Sequence, residues 1–270
     1  MRSFGYILAA FGVATLAASA QPPQQPPQTA APAAPAAPAA DPKLDEHLDK
    51  WEAAMKKVET LGAQLTRVDK DPTYDSVQKL TGVAYYMKAG TGAAIQNLAL
   101  LDLKLDGHKE SKEKYICTGT YIYTYAPDQK EIRYYELPKP KPGQVADDSL
   151  MSLMFGMKAV EAKRRYDLKV AKEDANFIYV DIAPRMAADK SDFVKARLIL
   201  NRSNYLPRQL WFEHSNKSEV LWDIPNLQVG MDLNRKAFDA PQAPPGWRMV
   251  SGDKRGPTVR QAPPAPPPGR

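Results

Sequence analysis

The chain has 270 residues, a formal net charge of +6 and a single cysteine, Cys117. One cysteine excludes an internal disulfide framework, and Cys117 is interpreted either as a small apolar strand residue or as a reactive thiol. The positive charge does not indicate a nucleic-acid-binding protein, because basic residues alternate with acidic ones along the chain. The one basic run, residues 163–165, is either a solvated helix face or a surface for an anionic partner.

The first twenty residues have the layout of a secretory signal peptide. Arg2 precedes an apolar stretch from Tyr6 to Ala18, and small residues at 18–20 match a peptidase cleavage site. The apolar stretch is too short for an ordinary membrane-spanning helix. We therefore expect a protein that is periplasmic or otherwise extracytoplasmic. We also expect it to be a monomer.

Two proline-rich segments flank one predicted domain. Residues 21–40 carry no charged or aromatic side chain, which predicts a disordered tether. Residues 251–270 form a similar predicted tail. Residues 41–250 lie between them and are numerous enough for one domain with a sizeable core.

The predicted domain begins with an amphipathic helix. Asp41 is a suitable N-cap and Pro42 suits the first turn. Apolar residues then recur at steps of three and four, and Gly62 stands near the expected end of the helix. The stripe consists of Leu44, Leu48, Trp51, Met55, Val58 and Leu61.

The apolar period then changes from 3.6 to 2, which predicts strands. Residues 82–87 and 95–105 alternate in this way, and residues 120–137 are typical of a hairpin with its turn at Pro127-Asp128. Further strands are predicted at 166–170, 177–182, 194–200, 206–212 and 219–227. About eleven strands with short turns predict an antiparallel meander that curls, which is an α+β fold rather than βαβ units.

An apolar, methionine-rich segment, Ser149 to Val160, interrupts the strands. It is expected to form a short helix with a wide bulky face. Three interpretations remain open: a core helix that plugs the sheet, a pliable lid over an apolar cavity, or a Cu(I) site made by methionine thioethers. On a regular helix the three sulfur atoms would not converge on one ion, so the metal is the weakest of the three.

No sequence motif specifies catalysis. The chain has three histidines, all expected on the solvated surface: His47 on the first helix, His108 in a charged turn, and His214 near a strand end. None of them has metal-ligand spacing, and there is no nucleophile elbow or phosphate-binding loop. We therefore predict a protein that is not an enzyme and that needs no metal or cofactor.

The order of these elements resembles the LolA/LolB superfamily of lipoprotein carriers, and in particular a planctomycete family of secreted LolA-like proteins of unknown function. The resemblance runs from Leu44 to Val250. It rests on "VETLGAQLTRVDK", "TGVAYYMKAG", "CTGTYIYTYAPDQKEI", "DDSLMSLMFGMKA" and the run from "LILNRSNYLPRQLWFE" to "WDIPNLQVGMDLNRKAFDAPQAPPGW". The chain departs from the pattern at the residue after Lys88, because Ala89 stands where the carriers have an arginine.

The resemblance implies an incomplete, half-open antiparallel β-barrel with an N-terminal helix and a helical lid over a cavity for acyl chains. The ligand is then a lipid or a lipidated protein. The implied lid positions are Leu150, Met151, Leu153, Met154, Phe155 and Met157, and the implied sheet lining is Val83, Tyr85, Met87, Ile95, Ala99, Leu101 and Leu103. The alternative is an interaction or sensor module on the same fold that binds a partner protein of the cell envelope.

Overall fold

The computed structural model describes residues 41–91, 95–137, 158–187 and 189–252. The predicted signal peptide and tether, most of the predicted tail, and all six predicted lid positions lie outside these ranges. What the sequence predicts for those segments stays a prediction.

The first helix, α1, spans Pro42–Lys56. The Asp41 carboxylate accepts hydrogen bonds from the backbone N–H groups of Lys43 and Leu44, as an N-cap does. The helix ends earlier than the apolar stripe predicts. Val58 lies in the connection that follows, and Leu61 belongs to the first strand, where its side chain still reaches the core.

Twelve strands form one sheet in the described residues. The order across the sheet is β12-β6-β5-β4-β3-β2-β1-β11-β10-β9-β8-β7, and the two end strands do not pair with each other, so the sheet is open. The strands are β1 Thr60–Asp71, β2 Ser76–Ala89, β3 Gln96–Leu105, β4 Ser111–Cys117, β5 Tyr121–Ala126, β6 Glu131–Glu136, β7 Tyr166–Glu173, β8 Phe177–Pro184, β9 Lys195–Asn201, β10 Pro207–Glu213, β11 Glu219–Val229 and β12 Arg248–Ser251.

The prediction of a largely antiparallel meander is confirmed, with one departure. Every neighbouring pair is antiparallel except β12, which pairs with β6 in parallel. This short twelfth strand has no hairpin partner next to it in sequence, so local turn signals did not indicate it. A second helix, α2, spans Ala159–Arg165 and leads directly into β7.

Strand pairing defines two faces of the sheet. We call the face that carries α1 the inner face and the opposite one the outer face. In β1 the inner residues are odd-numbered, as Leu61, Ala63 and Leu65 are, and they pair with even-numbered residues of β2 such as Tyr86 and Ala84. The register then continues the inner face into odd-numbered residues of β3 and β4 and even-numbered residues of β5.

One large core cluster fills the inner face over β1 and β7 to β11. The α1 side chains Leu44, Leu48, Trp51 and Met55 pack there. Trp51 is almost fully buried. The strand residues of this cluster include Ile178, Val180, Leu198, Leu200, Leu210, Phe212, Trp222 and Ile224. A separate, smaller cluster of Ile116, Tyr123 and Ile132 lies on the outer face.

Candidate ligand-binding face

The core cluster does not extend over the whole inner face. It reaches Leu101 of β3, and it includes no residue of β4, β5 or β6. From that margin, where Ala84, Tyr86 and Leu101 still contact the core, two cross-strand rows continue across the sheet, and all their side chains are half-buried. We call these rows the open inner face: Tyr86, Ala99, Cys117, Ile122 and Tyr135 form one, and Ala84, Leu101, Tyr115, Thr124 and Arg133 form the other.

The open inner face is mainly apolar and aromatic, with few polar groups along it. The hydroxyl of Tyr86 donates to the side-chain oxygen of Asn97 at 2.8 Å, and the thiol of Cys117 donates to the Asn97 carbonyl at 3.4 Å. Burial raises the pKa of Tyr86 to about 12, and the charges of Glu59 and Cys117 act in the same direction. Tyr86 therefore stays neutral at any physiological pH.

The register divides the predicted sheet lining between the two faces. Ala99, Leu101 and Leu103 lie on the inner face, and Leu103 is fully buried in the core. Ile95 precedes β3 and is exposed. Three members of the predicted lining lie on the outer face instead: Val83, Tyr85 and Met87.

The reason for this division is that both faces of β2 are half-buried between residues 81 and 89. Alternation alone therefore could not select the inner set. Gly82 allows the neighbouring strand β3 to approach closely, because a Cβ at this position would lie 1.9 Å from the Asp102 carbonyl oxygen.

Lys88 connects β2 to the end of α1. Its ammonium group donates to the carbonyl of Lys56 at 2.9 Å and to the carboxylate of Glu59 at 3.2 Å. A cation at this position satisfies a C-terminal helix carbonyl and complements the helix dipole. In this chain the lysine therefore holds α1, whatever the residue after it.

A buried ionic cluster lies on the inner face towards the other end of β1. Arg67 donates to both carboxylate oxygens of Asp69 and to both of Glu113, over distances of 2.6–3.1 Å. The guanidinium also lies 5.3 Å from the ring centre of Trp222. Burial raises the pKa of Asp69 above its ordinary value, and the charge of Arg67 opposes that rise.

His214 follows β10 near this cluster, and the expectation of a solvated side chain is wrong for it. The residue is half-buried, and its Nδ1 atom is buried with no hydrogen-bond partner. Burial raises the pKa of both Asp69 and Asp192, and the charge of a protonated His214 opposes both rises.

His47 is also buried, against the expectation of a solvent-facing side chain. It lies on the same face of α1 as the core residues. Its Nδ1 atom is 3.2 Å from the hydroxyl of Tyr205, and its Nε2 atom is 3.2 Å from the Glu173 carboxylate. Glu173 also pairs with Lys43 at 2.6 Å and with Arg202 at 3.1 Å.

This carboxylate therefore attaches the start of α1 to the end of β7. The hydrogen bond from Lys43 lowers the pKa of Glu173, and His47 contributes in the same direction. His108, by contrast, is exposed as predicted.

The basic run at the end of α2 is engaged within the chain. Lys163 pairs with Asp45 of α1 at 3.0 Å, and Arg164 pairs with Glu161 at 2.6 Å. Arg165 is buried and pairs with Asp189 at 2.5 Å. Of the two interpretations of this run, the solvated helix face fits Arg164 only.

In the described ranges, no group of three or more histidine, cysteine, aspartate or glutamate side chains is arranged to hold a metal ion. In the same ranges, the helices are too short or too polar to cross a membrane.

No protein-family model matches the chain, and no curated protein matches it. Solved structures similar in fold include a Pseudomonas aeruginosa MucA/MucB complex, with 11% identity over 74% of this chain and a TM-score of 0.43. The chain spans 61% of that protein's length. A conserved uncharacterised protein from Thermus thermophilus matches with 12% identity, 78% and 99% coverage and a TM-score of 0.47.

A LolA superfamily protein from Nitrosomonas europaea matches with 10% identity, 73% and 97% coverage and a TM-score of 0.37. The neighbours in fold thus include LolA-superfamily proteins, and the narrower likeness to a planctomycete family stays a prediction. At these identities and TM-scores, function has to be inferred from the residues of this chain.

Proposed function

We propose that this protein is a non-enzymatic, extracytoplasmic binding protein that holds a hydrophobic or lipidated ligand, such as lipoprotein acyl chains, on its open inner face. The observation that carries the proposal is that α1 fills only one part of the inner face. Two half-buried, mainly apolar rows begin at the core margin on β2 and β3 and continue over β4 to β6, which contribute no residue to the core cluster. A monomer with no cofactor suffices for this role.

The chemistry of the open inner face suits an acyl chain better than a polar ligand. Tyr86, Ala99 and Ile122 offer apolar surface along one row. An acyl chain there would gain about 0.8 kcal/mol of binding free energy for each CH₂ group that it buries. Such binding is strong but non-directional. It needs no fixed constellation of polar groups, and the row provides few.

The predicted lid belongs to the same proposal. Its six positions, Leu150 to Met157, precede α2, which packs on β7 and α1. Charged residues at Met154 and Phe155 are expected to weaken ligand binding if the segment covers the ligand. They are expected to leave it unchanged if the segment is only part of the core.

The test of the proposed face compares carboxylates placed on opposite faces of neighbouring strands. Ala99→Glu and Ile122→Glu each place a charge on the open inner face, and Met87→Glu is the matched control on the outer face. We expect the two inner variants to lose roughly tenfold or more in affinity for a fluorescent fatty acid or lipopeptide, because a charge against an acyl chain is poorly solvated. The control is expected to bind like the wild type.

Equal binding by all three variants, each shown by circular dichroism to be folded, would exclude this face as the ligand site. The alternative function is then favoured, in which the protein is an envelope interaction module without a lipid. One observation supports that alternative: α1 side chains already fill the inner face over β1 and β7 to β11.

A further inference from the structure

The chain's own C-terminal segment crosses part of the outer face of the sheet, from β1 to β6. After β11, the Met231 carbonyl accepts a hydrogen bond from the Thr60 hydroxyl at 2.8 Å. A 3₁₀ turn, Arg235–Phe238, then packs against β3 and buries Phe238. Trp247 packs edge-on against Tyr125 of β5 with ring centres 6.0 Å apart, immediately before β12 joins β6. Residues 231–251 therefore cross this face from β1 to β6.

Part of this covering segment is proline-rich. Residues 242–245 read Gln-Ala-Pro-Pro, and Gly246 and Trp247 follow them. The Trp247 N–H donates to the Pro244 carbonyl at 2.9 Å, and Gly246 has a φ of 79°, which together are features of a type II turn. The turn directs the indole onto Tyr125, while Pro244 and Pro245 themselves stay exposed.

The same four residues recur in the tail. Residues 261–264 again read Gln-Ala-Pro-Pro, and Ala265 and three prolines, 266–268, follow. Proline-rich stretches of this kind favour the polyproline II conformation, which binds grooves lined by aromatic side chains at little cost in conformational entropy.

A tyrosine cluster lies beside the point where the tail begins. Tyr121, Tyr123 and Tyr134 have ring centres 6.1–6.3 Å apart on the outer face of β5 and β6. Tyr121 and Tyr134 are half-buried rather than buried. The Gly252 N–H donates to the Tyr134 carbonyl at 2.8 Å, so the chain leaves β12 next to this cluster.

We propose that residues 261–268 of the same chain bind, through their prolines, the surface formed by Tyr121 and Tyr134. The tail is long enough: the ten residues from Gly252 to Gln261 span up to about 30 Å. The cluster is only about 10 Å away, because β12 and β5 are separated by two strand spacings.

The charges of the two parts are complementary. The tail carries Lys254, Arg255 and Arg260 against one acidic residue, Asp253, over this stretch. The exposed Glu136 is the register partner of Tyr121 at the edge of the cluster. This contact adds little affinity at physiological salt, but it favours the same placement of the tail.

The test measures the rate of tyrosine nitration by tetranitromethane, read by peptide mass spectrometry on the full chain. A variant in which the five prolines at 263, 264 and 266–268 become serine is compared with the wild type. A tethered site of millimolar affinity at an effective concentration of a few millimolar is mostly occupied, so we expect Tyr121 and Tyr134 to react roughly fivefold faster in the variant. Tyr74, which is exposed in the β1–β2 turn, is the internal control and should not change.

A synthetic peptide with the sequence of residues 260–270 should restore the protection of the variant. Equal nitration of Tyr121 and Tyr134 in both proteins would overturn the proposal. Protection that is the same in both proteins but grows with protein concentration would also overturn it, because a second copy of the chain would then be the occupant.

Discussion

Replacement of Arg67 by methionine is the sharpest test of how the inner face is held together. Arg67 is 6% exposed, and five charge-assisted hydrogen bonds join it to two carboxylates, one of which, Asp69, is also buried at 8%. The variant leaves that carboxylate buried without its counter-ion. We expect the free energy of unfolding to fall by about 3–5 kcal/mol at neutral pH.

The loss should depend on pH in a defined direction. Burial already raises the pKa of Asp69 above 3.8, and the variant removes the guanidinium that opposes the rise. A folded-state pKa above the unfolded value stabilises the folded protein at low pH, and this contribution disappears as the pH rises through the folded pKa. The deficit of Arg67→Met should therefore shrink as the pH is lowered towards 4.

Urea unfolding followed by tryptophan fluorescence measures these values, because Trp222 lies against the Arg67 guanidinium. Two controls accompany the variant. Arg197→Met removes an exposed pair with Asp181 and should cost about 0.5 kcal/mol or less. The triple variant Arg67→Met, Asp69→Leu, Glu113→Leu should recover most of the loss, because no unpaired charge remains.

A loss below about 1 kcal/mol for Arg67→Met at neutral pH would refute this reasoning. It would mean that water reaches the two carboxylates, and that the inner face is open at this end of β1. A deficit that grows as the pH falls would refute the assignment of the pH dependence to Asp69.

Two further predictions concern the attachment of α1 and the packing of the sheet. Glu173→Gln should weaken the contacts to Lys43 and His47 and cost about 1 kcal/mol at neutral pH. Because those contacts lower the pKa of Glu173, the difference from the wild type should vanish as the pH falls below the ordinary carboxyl value of 4.5, which urea unfolding at several pH values checks. Gly82→Ala should cost about 1–3 kcal/mol or more at any pH, because the added methyl group meets the Asp102 carbonyl of the neighbouring strand, and thermal unfolding measures this.

The parts of the fold with local signals could be predicted from the sequence. Asp41 and Pro42 mark the start of α1, and the Pro127-Asp128 turn marks the hairpin of β5 and β6. The end of α1 could not be predicted in this way, since Val58 and Leu61 continue the helical spacing although Leu61 belongs to β1. Both residues are buried, so the apolar pattern reports burial and not the element that provides it.

The candidate site depends on pairing across the sheet, which the sequence does not encode locally. The lining residues of β2 could be assigned to a face only from their register with β1 and β3. The ionic cluster joins Arg67 to Glu113, which lies 46 residues further along the chain. One signal was present in the sequence. The every-second-residue spacing of Leu61, Ala63 and Leu65 continues to Arg67 and Asp69, which places both charged residues on the buried side of β1.

The buried position of His47 had a signal as well. It lies one position before Leu48 and three after Leu44, so it is at the edge of the apolar stripe of α1. The acidic neighbours Asp45 and Glu46 suggested a solvated surface. The residues that bury it, Tyr205 and Glu173, come from distant parts of the chain.

The central claim is that the open inner face holds a hydrophobic or lipidated ligand. Native mass spectrometry, with lipid extraction, of the mature protein purified from its own envelope fraction tests this claim most directly. We predict bound acyl-chain mass in the wild type and in Met87→Glu, and its loss in Ala99→Glu and Ile122→Glu. A wild-type protein that carries no lipid, and that also binds no added fatty acid or lipopeptide, would contradict the claim.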